Sequence, residues 1–313
     1  MKNIVLVEPK SPDYNIFSIF RMPRMGLAII GTLARQAGYN VRIVYQEVTP
    51  LTGEHIDWAD LIGFSIITAT APEGYRLAGV TKAAAERQGK TLPVVFGGVH
   101  ATFMPDEALS HGDYVMRGET ENTFVPFLDA LAVGGPLEGI PGLSYKSPGH
   151  VVHNLMSPKK VEMDSVPTPD WSLFEGFKEK IGTVMTSRGC PHDCSFCSVT
   201  AMMGHRYRKR SIDLIMKDIS SIRTKNVFFY DDHFTADRRR TKTLLRRIID
   251  ERGKTHNINN FSAQVRADVV KDKELMDLLA EAGFTTFYIG FESVNRETLT
   301  LYRKGQSLSD MEQ

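Results

Sequence analysis

The feature that most constrains this chain of 313 residues is a repeated alternation. Short, continuously apolar, β-branched runs are separated by segments with helical periodicity. "NIVLV" (3–7), "VRIVY" (41–45), "LIGFSII" (61–67), "PVVF" (93–96) and "YVM" (114–116) read as strands covered on both faces. "MGLAIIGTLARQAG" sets Leu27, Ile30 and Ala34 on one helical face and stops at Gly38. "PEGYRLAGVTKAAAERQG" sets Leu77, Val80 and Ala84 on another. Strand–helix alternation at this spacing predicts a doubly wound parallel sheet, Rossmann-like, over the first part of the chain. "GLSYKSPGHVVHN" (142–154) predicts a hairpin turning at Pro148 and Gly149. "SPKKVEMDSVPTPDWSLF" has three prolines and little periodicity, and reads as a linker.

The pattern resumes at "GTVMTS" (182–187), "NVFFY" (226–230), "NFSAQV" (260–265) and "TTFYIGFES" (285–293). Helices are expected between and after these strands, with Ile212, Ile215, Met216 and Ile219, then Leu244, Leu245, Ile248 and Ile249, then Leu275, Leu278 and Leu279 inward. Four successive strand–helix units predict an α/β architecture ending in a partial, incomplete TIM-like β/α barrel. The expected division is a domain over 1–155 that includes the hairpin, a linker over 156–178 and a barrel over 179–313.

Composition excludes several classes. Net charge is +1, so no global field selects nucleic acid or an anionic membrane. No apolar run approaches the roughly 18 residues of a transmembrane helix. "MKNIVLVEPK" reaches Glu8 too early for a signal-peptide core, so a cytoplasmic protein is expected. "HRYRKR" (205–210) and "DRRRTKTLLRR" (237–247) look like nucleic-acid patches, but the second spreads its charge over an amphipathic helix. No nucleic-acid partner is expected.

Parallel sheets bind ligands at the carboxyl ends of their strands. In the first part those ends carry "EPKSP", "TATAP", "GGVHAT" and "RGETEN", small and polar on every loop, which suits a planar or extended ligand. No G-x-G-x-x-G follows the first strand, which disfavours a dinucleotide.

All three cysteines, Cys190, Cys194 and Cys197, stand in "CPHDCSFC" at the end of the first strand of the second part. An odd number argues against a disulfide framework. A structural zinc site would need a fourth ligand, His192 or His205. A redox pair would need only two thiols. An iron–sulfur cluster normally takes four thiolates, so three would leave one iron open to a substrate or cofactor.

C-x-x-x-C-x-x-C with Phe196 before the last cysteine, followed by strand–helix units, resembles the radical S-adenosylmethionine (SAM) enzymes. "PRMGLAIIGTLARQAGYNV", "FGGVHATFMPDEAL", "RGETENTF" and "VPTPDWSLF" resemble the cobalamin-binding domain and linker of one group of them, which includes methyltransferases and the anaerobic magnesium-protoporphyrin cyclase. The resemblance implies that the three cysteines hold a 4Fe–4S cluster. It implies that SAM binds the open iron and is cleaved to methionine and a 5′-deoxyadenosyl radical. It assigns the adenine to Phe196, the SAM amino group to Asp231 or Asp232, the carboxylate to Gln264 and Arg266, and the ribose to Glu292 and Ser293. It assigns cobalamin to Thr68, Ala69 and Thr70, to Gly97, Gly98, Val99, His100, Ala101 and Thr102, and to Gly118, Glu119 and Glu121.

Other cobalamin enzymes use D-x-H-x-x-G, which is absent here, so His100 is expected to be a rim residue rather than a cobalt ligand. The implied chemistry is methyl transfer to an unactivated carbon, or a related radical rearrangement or cyclisation. The implied partners are a small-molecule or lipid-like substrate and a reduced flavodoxin or ferredoxin-type electron donor. Alternative readings are a radical SAM enzyme whose first domain holds no cobalamin, and a non-catalytic metal-binding scaffold. Barrels of this group have six strands, and "SLSDMEQ" reads as the start of a further helix. A fragment of a longer protein is therefore expected, exposed at Phe287–Phe291.

Overall fold

A computed structural model describes residues 1–12, 22–178, 181–255 and 258–312. The expected start of the second domain, at 179, lies outside them. The chain divides into two compact units: Met1–Val161 with Val166–Lys178, and Glu162–Ser165 with Glu179–Gln313.

The first unit holds a seven-stranded sheet of β1 (Asn3–Glu8), β2 (Asn40–Tyr45), β3 (Leu61–Ser65), β4 (Val94–Gly97), β5 (Tyr114–Met116), β6 (Leu143–Ser147) and β7 (His150–His153). Its order is β2-β1-β3-β4-β5-β6-β7. The first five strands are mutually parallel, and β6 and β7 add as the expected antiparallel hairpin. Alternate residues of one strand point to opposite faces. Ile4 and Leu6 therefore meet Leu27, Ala34, Phe124 and Phe127 on one side. Val5 and Val7 meet Ile56, Leu77, Ala78 and Ala108 on the other. Both faces are buried, which is why the strands read as unbroken apolar runs.

Helix Ala71–Arg87 buries Leu77, Ala78, Thr81 and Ala85, whereas the expected Val80 is exposed. Small residues explain the rotated face. A Cβ on Gly74 would stand 2.6 Å from Ile66 Cγ2, so the helix sits on the sheet through its smallest side chains. The expected linker also differs: residues 166–178 pack on the first unit. Phe174 bridges Ile43, the Glu175 amide donates to the Ile43 carbonyl at 2.9 Å, and the Glu175 carboxylate meets His55 at 2.8 Å. Its apolar residues dock one at a time, so it carries no period.

The second unit holds an open, parallel four-stranded sheet of β8 (Gly182–Val184), β11 (Asn226–Phe229), β12 (Asn260–Val265) and β13 (Phe284–Ile289), ordered β13-β12-β11-β8. The short strands β9 (Ser187–Arg188) and β10 (Arg208–Lys209) pair beside it. Each strand joins the same edge in turn, the succession of a partial barrel, and no closed barrel forms among the described residues. Phe229, Phe234, Phe261 and Phe284 pack ring on ring, with centroids 4.6–5.6 Å apart. Ile215, Ile219, Leu244, Leu245, Leu275 and Leu279 cover them from the helices. Asp237, Asp272 and Asn295 accept hydrogen bonds from the amides of Arg240, Leu275 and Thr298, fixing where three helices begin.

Candidate functional sites

In the first unit the carboxyl ends of β3, β4 and β5 form one rim, stitched by short contacts. Gly98 has φ +93°, and a Cβ there would meet the Ile66 carbonyl oxygen at 2.5 Å. Only glycine lets the β4 loop cross this close to β3. Thr102 donates to the Gly98 carbonyl at 2.8 Å and accepts from the Gly118 amide at 2.9 Å, tying two loops together. His100 lies with Nδ1 3.2 Å from Thr68 Oγ1 and Nε2 3.3 Å from Glu107 Oε1. Both ring nitrogens thus have a side-chain partner within the rim. Thr68, Ala69, Gly97, Val99 and Glu121 stand at least partly open on this rim. Thr70 is buried and its hydroxyl turns back on Ile67, and Ala101 points into the core. Glu119 lines a small, open hollow with Arg117, Gly142, Met156 and Lys159. Glu8 ends β1 here, and burial raises its carboxyl against the opposing pull of Arg24, 3.2 Å away.

The second unit's site is the cysteine loop. It leaves β9 through Gly189, at φ +84°, where a Cβ would stand 2.8 Å from the Arg206 carbonyl. Cys190, Cys194 and Cys197 are half-buried free thiols, and the Cys197 amide donates to the Cys194 carbonyl at 3.1 Å. Burial pushes the Cys190 thiol up; a backbone hydrogen bond at His192 opposes this, while Asp232 and the other two thiols add to it. Three thiols on one loop suit a cationic metal partner, because the thiolate is the form that ligates a metal.

Among the described residues no three His, Cys, Asp or Glu side chains converge on one ion.

Asp231 and Asp232 part ways. Asp231 is fully buried. It accepts from the Thr186 amide at 3.1 Å, from Thr186 Oγ1 at 2.9 Å and from Ser187 Oγ. Burial pushes its carboxyl up to about 6, against the pull of these donors. It locks β8 to β11 and has no face toward a ligand. Asp232 is reached by solvent yet set in a concavity: enclosure raises its carboxyl, opposed by the Gly189 amide and Arg188.

Gln264 is exposed and donates to the Asp231 carbonyl at 3.1 Å. Arg266 is buried; its Nη2 donates to the carbonyls of Lys304 and Gly305, so the guanidinium is largely committed to the chain itself. Phe196 is exposed, Glu292 is exposed at φ +64°, and Ser293 accepts from the Asn295 amide at 3.0 Å. Phe196 and Glu292 converge on Lys304, a residue the sequence reading passed over. Its Nζ lies 5.6 Å from the Phe196 ring centroid and 3.0 Å from Glu292 Oε1. His233, also passed over, is buried with its ring 5.4 Å from that of His192. Burial, then His192 and Arg266, push its imidazole down to about 3.

Many cations of the basic stretches are paired with carboxylates of this chain, and one of them is buried. Arg210 is buried on Asp218 at 3.0 Å and on the Met163 carbonyl at 2.7 Å. Lys209 meets Asp237, Arg238 meets Asp268, and Lys242 meets Asp272 and Glu274.

Two family profiles match: the B12 binding domain over residues 19–128 and the Radical SAM superfamily over 184–313. The chain therefore carries a radical SAM domain and a B12-binding domain. Its relatives are named as methyltransferases and as an anaerobic cyclase. An uncharacterized methyltransferase of Pyrococcus horikoshii is 32% identical over 302 residues, covering 90% of this chain and 63% of its own. The hopanoid C-3 methylase of Methylococcus capsulatus is 28% identical over 92% of this chain and 57% of its own. The anaerobic magnesium-protoporphyrin IX monomethyl ester cyclase of Synechocystis is 28% identical over 92% and 60%. The fold is that of TsrM, a radical SAM methyltransferase from Kitasatospora setae, with a TM-score of 0.80 at 19% identity over 100% of this chain and 64% of that one. OxsB, a cobalamin-dependent SAM radical enzyme, gives 0.77 at 20% identity over 99% and 46%. The chain thus spans between about half and two thirds of these proteins.

Proposed function

We propose that this chain binds a 4Fe–4S cluster, SAM and cobalamin, and serves methyl transfer to an unactivated carbon or a related radical rearrangement or cyclisation. The observation that carries this reading is three free thiols on one loop at the carboxyl end of the first strand of a parallel sheet, joined to a B12-type rim. Residues 1–155 serve cobalamin and 179–313 serve the cluster and SAM. Cys190, Cys194 and Cys197 hold the cluster, leaving one iron without a protein ligand. The chemistry supplied when these groups are bound is one-electron cleavage of SAM and carriage of a methyl group.

The chain's own part is positioning. The backbone at Phe196 and the side chains of Glu292 and Ser293 form the nucleoside side of the SAM site. Asp232 is the carboxylate left for its amino group, and Gln264 is the exposed polar group for its carboxylate. On the other rim Gly98 admits a flat ligand close to the backbone while His100 stays off the metal.

Relatives named for hopanoids, protoporphyrin esters and bacteriochlorophyllides support a small, largely apolar or lipid-like substrate. A reduced flavodoxin or ferredoxin-type protein is proposed as electron donor, and the cytoplasm as the compartment. No helix of the described residues is long and apolar enough to cross a membrane. Anaerobic reconstitution tests the reading: the protein should take up iron, sulfide and hydroxocobalamin, and SAM should perturb the reduced cluster's EPR spectrum. Cluster uptake with no cobalamin binding at excess ligand would leave a radical SAM enzyme of another type.

A further inference from the structure

The cysteine loop is fastened from far along the chain. The Ser195 amide donates to the Tyr302 carbonyl at 3.0 Å, and Ser195 Oγ to the Leu301 carbonyl at 3.1 Å. Arg303 pairs with Asp193 at 2.8 Å. The Tyr302 ring meets Phe196 edge-on, with centroids 5.1 Å apart. Three residues between Cys190 and Cys197, namely Asp193, Ser195 and Phe196, are thus held by a segment more than a hundred positions further along the chain.

The fastening segment is itself pinned from the other side. Arg266 reaches the carbonyls of Lys304 and Gly305, and Gln306 donates to the Gly290 carbonyl at 3.4 Å. Lys304 is buried, with its ammonium between Glu292 and the Phe196 ring. A buried lysine is costly unless its charge is met, and here one carboxylate and one ring face meet it. Among the described residues the only two non-glycine positions with positive φ are Glu292, at 64°, and Arg303, at 50°. Such conformations persist where surrounding contacts over-determine them. Both belong to this one cluster.

We propose that Leu301–Lys304 is a positioning clasp for the cysteine loop, with Lys304 the residue that couples the loop to Glu292 at the end of the fourth strand. The coupling to SAM rests on the function proposed above; the clasp itself does not. Lys304 therefore touches both the Phe196 and the Glu292 sides of the nucleoside site, and a ligand entering there acts on the loop through it.

The test is made first on the cluster-free full chain, by the rate at which iodoacetamide alkylates Cys194 and Cys197 at fixed pH. Lys304→Met keeps the apolar stem and removes the charge. It should raise the alkylation rate about tenfold, as expected when a local opening becomes easier while the fold persists. Lys304→Arg should return it to the wild-type rate. Should Lys304→Met fail to fold, Tyr302→Ala, which leaves Lys304 in place, carries the same expectation. In reconstituted protein Lys304→Met should assemble its cluster and need about tenfold more SAM to reach the wild-type EPR change. Unchanged alkylation in folded Lys304→Met and Tyr302→Ala overturns the clasp. A wild-type protein that takes up no cluster would sink the functional reading and leave the alkylation result standing.

Discussion

Gly98 and Ile66 approach so closely that a single methyl group on Gly98 would sit 2.5 Å from the Ile66 carbonyl oxygen and 2.9 Å from its amide nitrogen. Both contacts are to backbone, which cannot swing aside, and φ is +93°. Gly98→Ala should therefore cost about 2–4 kcal/mol of unfolding free energy, above a single strained backbone position, and abolish cobalamin binding. Gly79 is the control. A Cβ there meets nothing within 4 Å inside helix Ala71–Arg87, so Gly79→Ala should be neutral or gain up to about 1 kcal/mol. Urea denaturation of the two variants measures the contrast.

His100 spends both nitrogens on Thr68 and Glu107. The Co(II) EPR spectrum of the cobalamin-loaded protein should then carry no nitrogen splitting from a protein imidazole, and His100→Gln should leave it unchanged. Splitting present in the wild type and lost in the variant would make His100 a cobalt ligand.

Asp231 predicts a pH slope. Burial raises its carboxyl from 3.8 to about 6 in the folded state, so between those values the native protein binds more protons than the unfolded chain. This group's contribution is greatest below the unfolded value and is lost as pH rises through about 6. Asp231→Asn should flatten that part of the stability profile, followed by urea denaturation from pH 4 to 7. Asp231→Ala leaves the Thr186 and Ser187 donors buried without an acceptor and should cost about 3 kcal/mol or more at pH 7.

The basic stretches separate by burial. Arg210→Met removes a buried guanidinium from Asp218 and from the Met163 carbonyl and should cost about 3–5 kcal/mol. Arg247 pairs with Glu251 on the surface, where solvent screens the pair, so Arg247→Ala should leave the urea midpoint essentially unchanged. A large loss of nucleic-acid affinity in either variant would point to a nucleic-acid surface instead.

Much of this was legible in the chain. Apolar runs such as "NIVLV" and "NVFFY" announce parallel strands because both faces are buried, and "CPHDCSFC" stands out as a candidate site because thiols are otherwise absent. Helix faces were less legible: the face at Leu77 was set by the close approach of Gly74 to Ile66, which hydrophobicity does not record. Asp231 and Asp232 are adjacent and chemically identical, yet one is buried under Thr186 and the other open, a difference made by strand geometry alone. The Lys304 contacts join residues over a hundred positions apart and leave only a faint local signal, a Lys–Gly pair ending a helix.

The most direct measurement is EPR of the anaerobically reconstituted, reduced protein, titrated with SAM, in wild type and Cys194→Ala. The account predicts one 4Fe–4S cluster per wild-type chain, a spectrum that shifts with SAM, and loss of both cluster and shift in the variant. Stoichiometric zinc without iron in anaerobically purified protein, or a variant that keeps the cluster and still cleaves SAM to 5′-deoxyadenosine, would contradict it.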